Sequence, residues 1–245
     1  MKVDILAIGA HPDDVELSCS GTLIAEIKKG KKVAIIDLTE GELGTRGTAE
    51  TRYQEAANAA MIMGVHAREN LKMKDGFFQN DEEHQRLLIK AIRKYQPSIV
   101  LANSLYDRHP DHAKGGKLIS DSCFLSGLKK IVTYDDAGKE QAKWRPSYVL
   151  HYIQDRLHEP NIVIDITEHF DQRMKAIEAY TTQFHQSNGD NSGDQTYISS
   201  PDFKDGLIGR CRLMGKRIGV KYAEGFVSEK SIGITGFDAL IQNET

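Results

Sequence analysis

The chain has 245 residues, a formal net charge of -3 and a hydrophobic share of 40%, which suits one large α/β domain with a sizeable core. The charge balance excludes the electrostatic footprint of a nucleic-acid or acidic-membrane binder, and no segment approaches the ~20 continuous apolar residues of a membrane span. With no apolar run of signal-peptide length at the start and only three scattered cysteines (Cys19, Cys123, Cys211), the expectation is a cytoplasmic protein with reduced thiols rather than a disulfide framework or a CxxC zinc site.

In chain order, the apolar run Val3, Ile5, Leu6, Ala7, Ile8 reads as a fully buried strand. Gly9-Ala10 breaks it, and His11, Pro12, Asp13 and Asp14 follow at once. Val15, Cys19, Leu23, Ile24 and Ile27 then recur at helical spacing, predicting an amphipathic helix that stops at Gly30. Lys32 to Thr39 is a second buried strand, so the opening is a βαβ unit in a parallel sheet. A glycine-rich polar loop (Glu40 to Gly47) leads to a helix from Thr48 to Met63, ended by Gly64. Leu71-Lys72-Met73 reads as a short strand and Asp75-Gly76-Phe77-Phe78 as a turn, followed by a helix over Leu87 to Tyr95 that Pro97 closes.

The strand Ile99 to Ala102 precedes Asp107-Arg108-His109-Pro110-Asp111-His112 and a helix over Asp111 to Ser126. Alternating strands and helices of this kind indicate a doubly wound, Rossmann-like α/β domain with a mostly parallel sheet flanked by helices. Beyond it, Tyr148 to Ile153 and Ile162 to Ile166 read as strands, Glu168 to Thr182 and Pro201 to Ile218 as helices, and Tyr222 to Val227 as a last strand. Gln186 to Asp194 is polar and glycine-bearing, an exposed loop or lid. No linker divides the chain, so residues 1–245 are taken as one domain.

Two His-Pro-Asp segments therefore stand at the carboxyl ends of two buried strands, where open α/β sheets bind ligands. His11 and Asp14 are three residues apart, as are His109 and His112, a spacing that lets both members of a pair face one way if each loop turns into a helix. A two-His, one-carboxylate set suits catalytic Zn²⁺ and equally Fe²⁺ with open positions. It leaves Asp13 as a general base. A single HPDD is more often an N-cap and a turn, but two such loops after buried strands are less easily read that way. The dinucleotide alternative lacks GxGxxG after the first strand, which also leaves Asp37 as an ordinary strand-end polar residue.

The AHPDD after the first strand, the HPDH after the fourth and the late YAEGF resemble the LmbE/PIG-L family of zinc-dependent N-acetylglucosaminyl deacetylases, from Val3 to about Val227. Within it the chain is most similar to the bacillithiol-pathway branch, which deacetylates N-acetylglucosaminyl malate. The resemblance implies His11, Asp14 and His112 as metal ligands and Asp13 as general base. It implies His109 as a protonated stabiliser or acid, and Asp111 as a partner that sets the tautomer of His109 or of a ligand. It also implies Arg52 as a substrate-contacting arginine, Arg145 as a second arginine near the base, and homo-oligomers, often hexamers. The family tyrosine near the start of the last long helix is replaced here by Phe203, with Tyr197 as the nearest substitute.

Arg108, beside the second motif, is well placed to fork a substrate carboxylate, whereas Arg46 reads as a surface residue. His66, His84, His151, His158, His169 and His185 lack motif spacing and read as structural or exposed, and Phe77, Phe78 and Trp144 as core or interface. The implied activity is water attack on the acetamide of a glucosamine unit, releasing acetate. The alternatives are the same chemistry on chito-oligosaccharides or another conjugate, or a metal- or carbohydrate-binding protein without turnover.

Overall fold

The computed structural model describes residues 1–184 and 194–240. Seven strands form one sheet: β1 (Ile5–Gly9), β2 (Val33–Thr39), β3 (Ala67–Met73), β4 (Ile99–Ala102), β5 (Tyr148–Tyr152), β6 (Ile162–Asp165) and β7 (Ala223–Ser228), in the order β3-β2-β1-β4-β5-β7-β6. The first five run parallel; β7 lies antiparallel between β5 and β6. Parallel neighbours need crossovers, and helices α1 (Asp14–Lys28), α2 (Ala49–Met63), α3 (Glu82–Tyr95) and α4 (Pro110–Leu125) lie between successive strands of that set. Two more helices, α5 (Phe170–Glu178) and α6 (Pro201–Ile218), belong to the C-terminal part. No helix among the described residues is long and apolar enough to cross a membrane.

Every residue of β1 and β2 is buried because both sheet faces are covered. Leu6 and Ile8 of β1 point to the face packed by α3 and α4, through Leu88, Ile92, Leu118 and Ile119. Ile5 and Ala7 point to the opposite face, against Val15, Cys19, Leu23 and Ile24 of α1. The helix ends follow local chemistry. Thr48 accepts the Thr51 N–H at the start of α2, Gly64 closes it at φ 78°, and Pro110 and Pro201 occupy first-turn positions of α4 and α6.

Two expected elements differ. β3 spans seven residues, Ala67–Met73, rather than three. Its polar sequence concealed it because it is an edge strand and its Arg68 turns inward, pairing with Asp37 at 2.8 Å and Glu16 at 2.5 Å. α5 is shorter than the expected helix, ending at Glu178 and preceded by a 3₁₀ turn at Thr167–His169. Of the predicted lid, residues 186–193 lie outside the described residues, as does His185.

The glutamate of YAEGF locks α1 to β7. Glu224 accepts the backbone N–H groups of Gly21 (3.0 Å) and Thr22 (2.7 Å), the Thr22 hydroxyl (2.7 Å) and the Arg173 guanidinium (2.9 Å), all in the interior. Glu224→Ala leaves Arg173 a buried charge without its carboxylate and is expected to lower unfolding stability by about 3–5 kcal/mol. Urea melts of both proteins check this, and a loss below about 1 kcal/mol contradicts it.

Chain order reverses between β1 and β4, which pair directly through Ile5–Ile99, Leu6–Val100 and Ala7–Leu101. A crevice opens at such a switch point beyond the strand carboxyl ends. The loops after β1 and β4 border it, and they carry the two His-Pro-Asp segments.

Candidate functional site

His11, Pro12 and Asp13 form the turn between β1 and α1. Asp13 adopts φ 121°, a region that non-glycine residues avoid, so the surroundings hold this carboxylate in a strained conformation. One strut is Arg52 on α2. Its Nη2 donates to Asp13 Oδ2 (3.1 Å) and the Pro12 carbonyl (3.3 Å), and its Nη1 to the Gly41 carbonyl (3.1 Å). Gly41, at φ 66°, admits this approach, since a Cβ there would stand 2.0 Å from Nη1.

Asp14 opens α1. Its Oδ2 accepts the His11 N–H (3.0 Å) and Asn103 Nδ2 (3.0 Å), and its Oδ1 accepts Gln154 Nε2 (3.2 Å). His112 Nε2 lies 3.0 Å from Asp14 Oδ1, and His11 Nδ1 lies 3.7 Å from Asp14 Oδ2. Each of these rings turns its other nitrogen to carboxylates. His11 Nε2 faces Asp75 Oδ1 (3.2 Å) and Asp111 Oδ2 (3.3 Å), and His112 Nδ1 faces Asp107 Oδ2 (2.5 Å). Those carboxylates are themselves anchored: Asp75 by the Leu43 N–H, Asp111 by the Gly76 N–H and Lys114, Asp107 by the Arg156 N–H.

This arrangement suits a divalent ion. Ligating imidazoles characteristically present one nitrogen to the ion and the other to a carboxylate. Ligand atoms of His11, His109 and His112 lie within 4.8 Å of one another, as do those of His11, Asp75 and Asp111. In the latter group both carboxylates address the same ring nitrogen, which is the pattern of a hydrogen-bonded anchor.

The electrostatics carry the same mark. For His11, burial disfavours the charged ring, but Asp111, Asp75 and Asp14 outweigh it and raise the group to about 10. For His112, Asp14 and Asp107 overcome burial and raise it to about 9. Burial also pushes Asp14 upward, but His112, His11 and Asn103 hold it well below the usual carboxylate range. The cluster thus holds an excess of carboxylate that protons on the two rings offset and that a cation can offset instead. Both histidines lie above the ~6.5 of a free imidazole. Their protonation therefore stabilises the metal-free fold fully below about pH 6.5, and that contribution is lost as pH rises through about 9 and then 10. Chelator-treated protein is expected to lose melting temperature between pH 7 and 10, and less so with a divalent ion present. A flat metal-free profile over that range contradicts the expectation.

Asp13 is pushed upward by burial, with Arg52 pulling the other way. His109 is the third imidazole of the cluster. Its ring lies 4.7 Å from that of His11 and 5.0 Å from that of His112. Burial and the charge on those two rings lower it to about 4. The Asp111 N–H donates to His109 Nδ1 (3.2 Å), so the neutral ring carries its proton on Nε2. Asp111 thus meets His109 through its backbone and His11 through its carboxylate.

His11, Asp13, Asp14, His109 and His112 line a cavity of about 460 Å³, with Arg108, Thr196 and Tyr197 at its side. Arg108 Nε pairs with Asp155 (3.2 Å) and its guanidinium lies 4.4 Å over the Tyr197 ring; Tyr197 donates to Asp155 at 2.8 Å. Phe203 packs against Tyr197 and Phe184, which puts its ring in the apolar layer. Arg52 also lines this cavity, with its guanidinium on the Asp13 turn. One expectation is corrected. Arg145 donates to the Phe124 carbonyl (2.7 Å) at the C-terminal end of α4, and His109 precedes the opposite end of that helix. A 16-residue helix separates them by roughly 24 Å.

Sequence reasoning passed over Asp75, Asp107, Asn103 and Gln154. Asn103 directly follows β4 and Gln154 lies just past β5, so the strand-end rule pointed at both, and Asp107 belongs to the second motif itself. Asp75 had no such signal.

Comparison with known proteins decides the family. The PIG-L model, described as GlcNAc-PI de-N-acetylase, matches residues 6–123. The chain is 33% identical to the crystal structure of the conserved protein TT1542 from Thermus thermophilus, at a TM-score of 0.83 over 95% of this chain and 97% of that one. The chain belongs to the PIG-L family. Two further relatives are enzymes by name. The diacetylchitobiose deacetylase of Thermococcus kodakarensis is 26% identical over 231 residues, 90% of this chain and 81% of its own. The probable N-acetyl-alpha-D-glucosaminyl L-malate deacetylase 2 of Bacillus subtilis is 26% identical over 196 residues, 75% of this chain and 84% of its own. The matched PIG-L segment contains both His-Pro-Asp loops, with Asp75 and Asn103 besides.

Proposed function

We propose that this PIG-L protein is a metal-dependent N-deacetylase that hydrolyses the acetamide of an N-acetylglucosaminyl conjugate, releasing acetate and a free amine. The observation that carries the reading is the meeting of His11 Nδ1, Asp14 and His112 Nε2 beside the strained Asp13 carboxylate. In this reading His11, Asp14 and His112 hold the ion, Zn²⁺ or Fe²⁺ by donor type. When bound, such an ion polarises a carbonyl and acidifies water.

The remaining steps belong to the chain's own residues. Asp13, buried and aimed by Arg52, takes the proton of the attacking water. His109 donates its Nε2–H to the oxygen on which charge develops, because its Nδ1 is engaged with the Asp111 N–H. A doubly protonated His109 would set its Nδ1–H against that same N–H. Asp13 is therefore the group that returns the proton to the departing nitrogen.

The malate conjugate remains one form of the substrate, supported by the Bacillus subtilis relative. The guanidiniums it relied on, Arg52 and Arg108, have partners within the chain. Acetate release from methyl N-acetylglucosaminide and from its conjugates, with and without a chelator, tests the activity. Turnover undiminished by full metal removal, or absent from all of them, overturns it.

A further inference from the structure

A second groove, of about 550 Å³, runs along the start of α6 and meets the cavity of His11 and His112 at Tyr197. We infer that this groove receives the group attached to the N-acetylglucosamine unit, and that this group is an uncharged sugar; the inference rests on the deacetylase reading above.

Asp202, Gly206, Gly209 and Leu213 follow one another along one helix face at four, three and four residues, and all line the groove. A Cβ built on Gly206 or Gly209 meets no heavy atom within 4 Å, so nothing among the described residues fills the space over this stretch of helix. Continuity with the catalytic cavity identifies the occupant. A substrate whose acetamide lies at His11 and His112 and whose remainder passes Tyr197 enters this groove next. The passage is bounded by Arg108, Asp155 and Tyr197, joined to one another as described.

The lining then selects among chemistries. An anion such as a malyl group faces Asp155 and Asp202, and the guanidinium in the groove, Arg210, already donates to the carbonyls of Gln154 and Leu17. An alkyl chain would strip water from the same two carboxylates without returning hydrogen bonds. A sugar satisfies both halves. Its hydroxyls donate to Asp155, Asp202 and Ser200, and its C–H face covers Tyr197, Leu157 and Leu213, which are 54%, 55% and 42% exposed.

The test uses metal-loaded full-length protein and three substrates: methyl N-acetyl-β-glucosaminide, N,N′-diacetylchitobiose and N-acetylglucosaminyl malate. The wild type is expected to show a kcat/KM on the disaccharide about tenfold or more above the other two. Gly206→Trp and Gly209→Trp, which fill the groove without meeting another atom at Cβ, should cut the disaccharide-to-methyl-glycoside ratio by about tenfold. Gly209→Leu reads the same ratio should a tryptophan variant fail to fold. An unchanged ratio in folded variants, or a wild-type preference for the malate conjugate, overturns the sugar groove while leaving the deacetylase reading intact. A changed mass by light scattering with an unchanged ratio assigns the groove to contact between copies and overturns it as well. No acetate from any of the three sinks the deacetylase reading itself and this inference with it.

Discussion

His11→Ala, Asp14→Ala and His112→Ala proteins should each purify without stoichiometric metal and release no measurable acetate. Three protein ligands are the minimum a catalytic zinc site uses, so none is spare. The loss at Asp14 should be complete because its position is so fully specified: three N–H donors fix both oxygens before any ion arrives. His109→Ala separates this set from the other close trio of His11, His109 and His112. It should keep its metal and lose about 10²–10³ in kcat, the usual cost of removing one donor to a developing oxyanion. Elemental analysis beside an acetate assay checks all four variants. Full metal content in an alanine variant removes that residue from the ligand set, and metal loss in His109→Ala brings His109 into it.

Much of this site was legible in the sequence because its parts are local. His11, Asp13 and Asp14 sit within four residues at a strand end, and His109 and His112 on the turn into α4, so burial of two apolar runs sufficed to place them on one side of the sheet. α6 was equally open to reading, with Pro201 at its first turn and Gly219 at φ 77° just beyond it. What escaped depends on neighbours remote in sequence. Asp75 reaches His11 across 64 positions, and burial together with the rings of His11 and His112 pulls His109 below the usual imidazole range. The antiparallel insertion of β7 between β5 and β6 left no trace in the hydrophobic pattern, because a strand's periodicity reports its burial and not its partners. Arg145 failed for a related reason. The resemblance put it near the base, but the chain reaches it only after α4 has carried it to the far end of the domain.

Asp13→Asn should retain metal and lose about 10²–10⁴ in kcat, the range general-base catalysis contributes. The substitution is conformationally mild. Asparagine tolerates positive φ better than most residues, so the strained turn at φ 121° persists, and its amide oxygen still accepts from Arg52. What disappears is the ability to take a proton, in a carboxylate that burial already inclines toward holding one. If Asp13→Asn instead loses its metal, Asp13 is a ligand and the roles within the pair are exchanged. Arg52→Lys extends the test to the group that aims the base. Lysine keeps the charge but cannot reach Asp13, Pro12 and Gly41 at once, so the turn is left with fewer struts. Because Arg52 touches the base rather than a substrate carboxylate, kcat should fall by the same factor on the methyl glycoside, the disaccharide and the malate conjugate. A rise in KM confined to the malate conjugate would return Arg52 to the substrate and reopen the anionic reading.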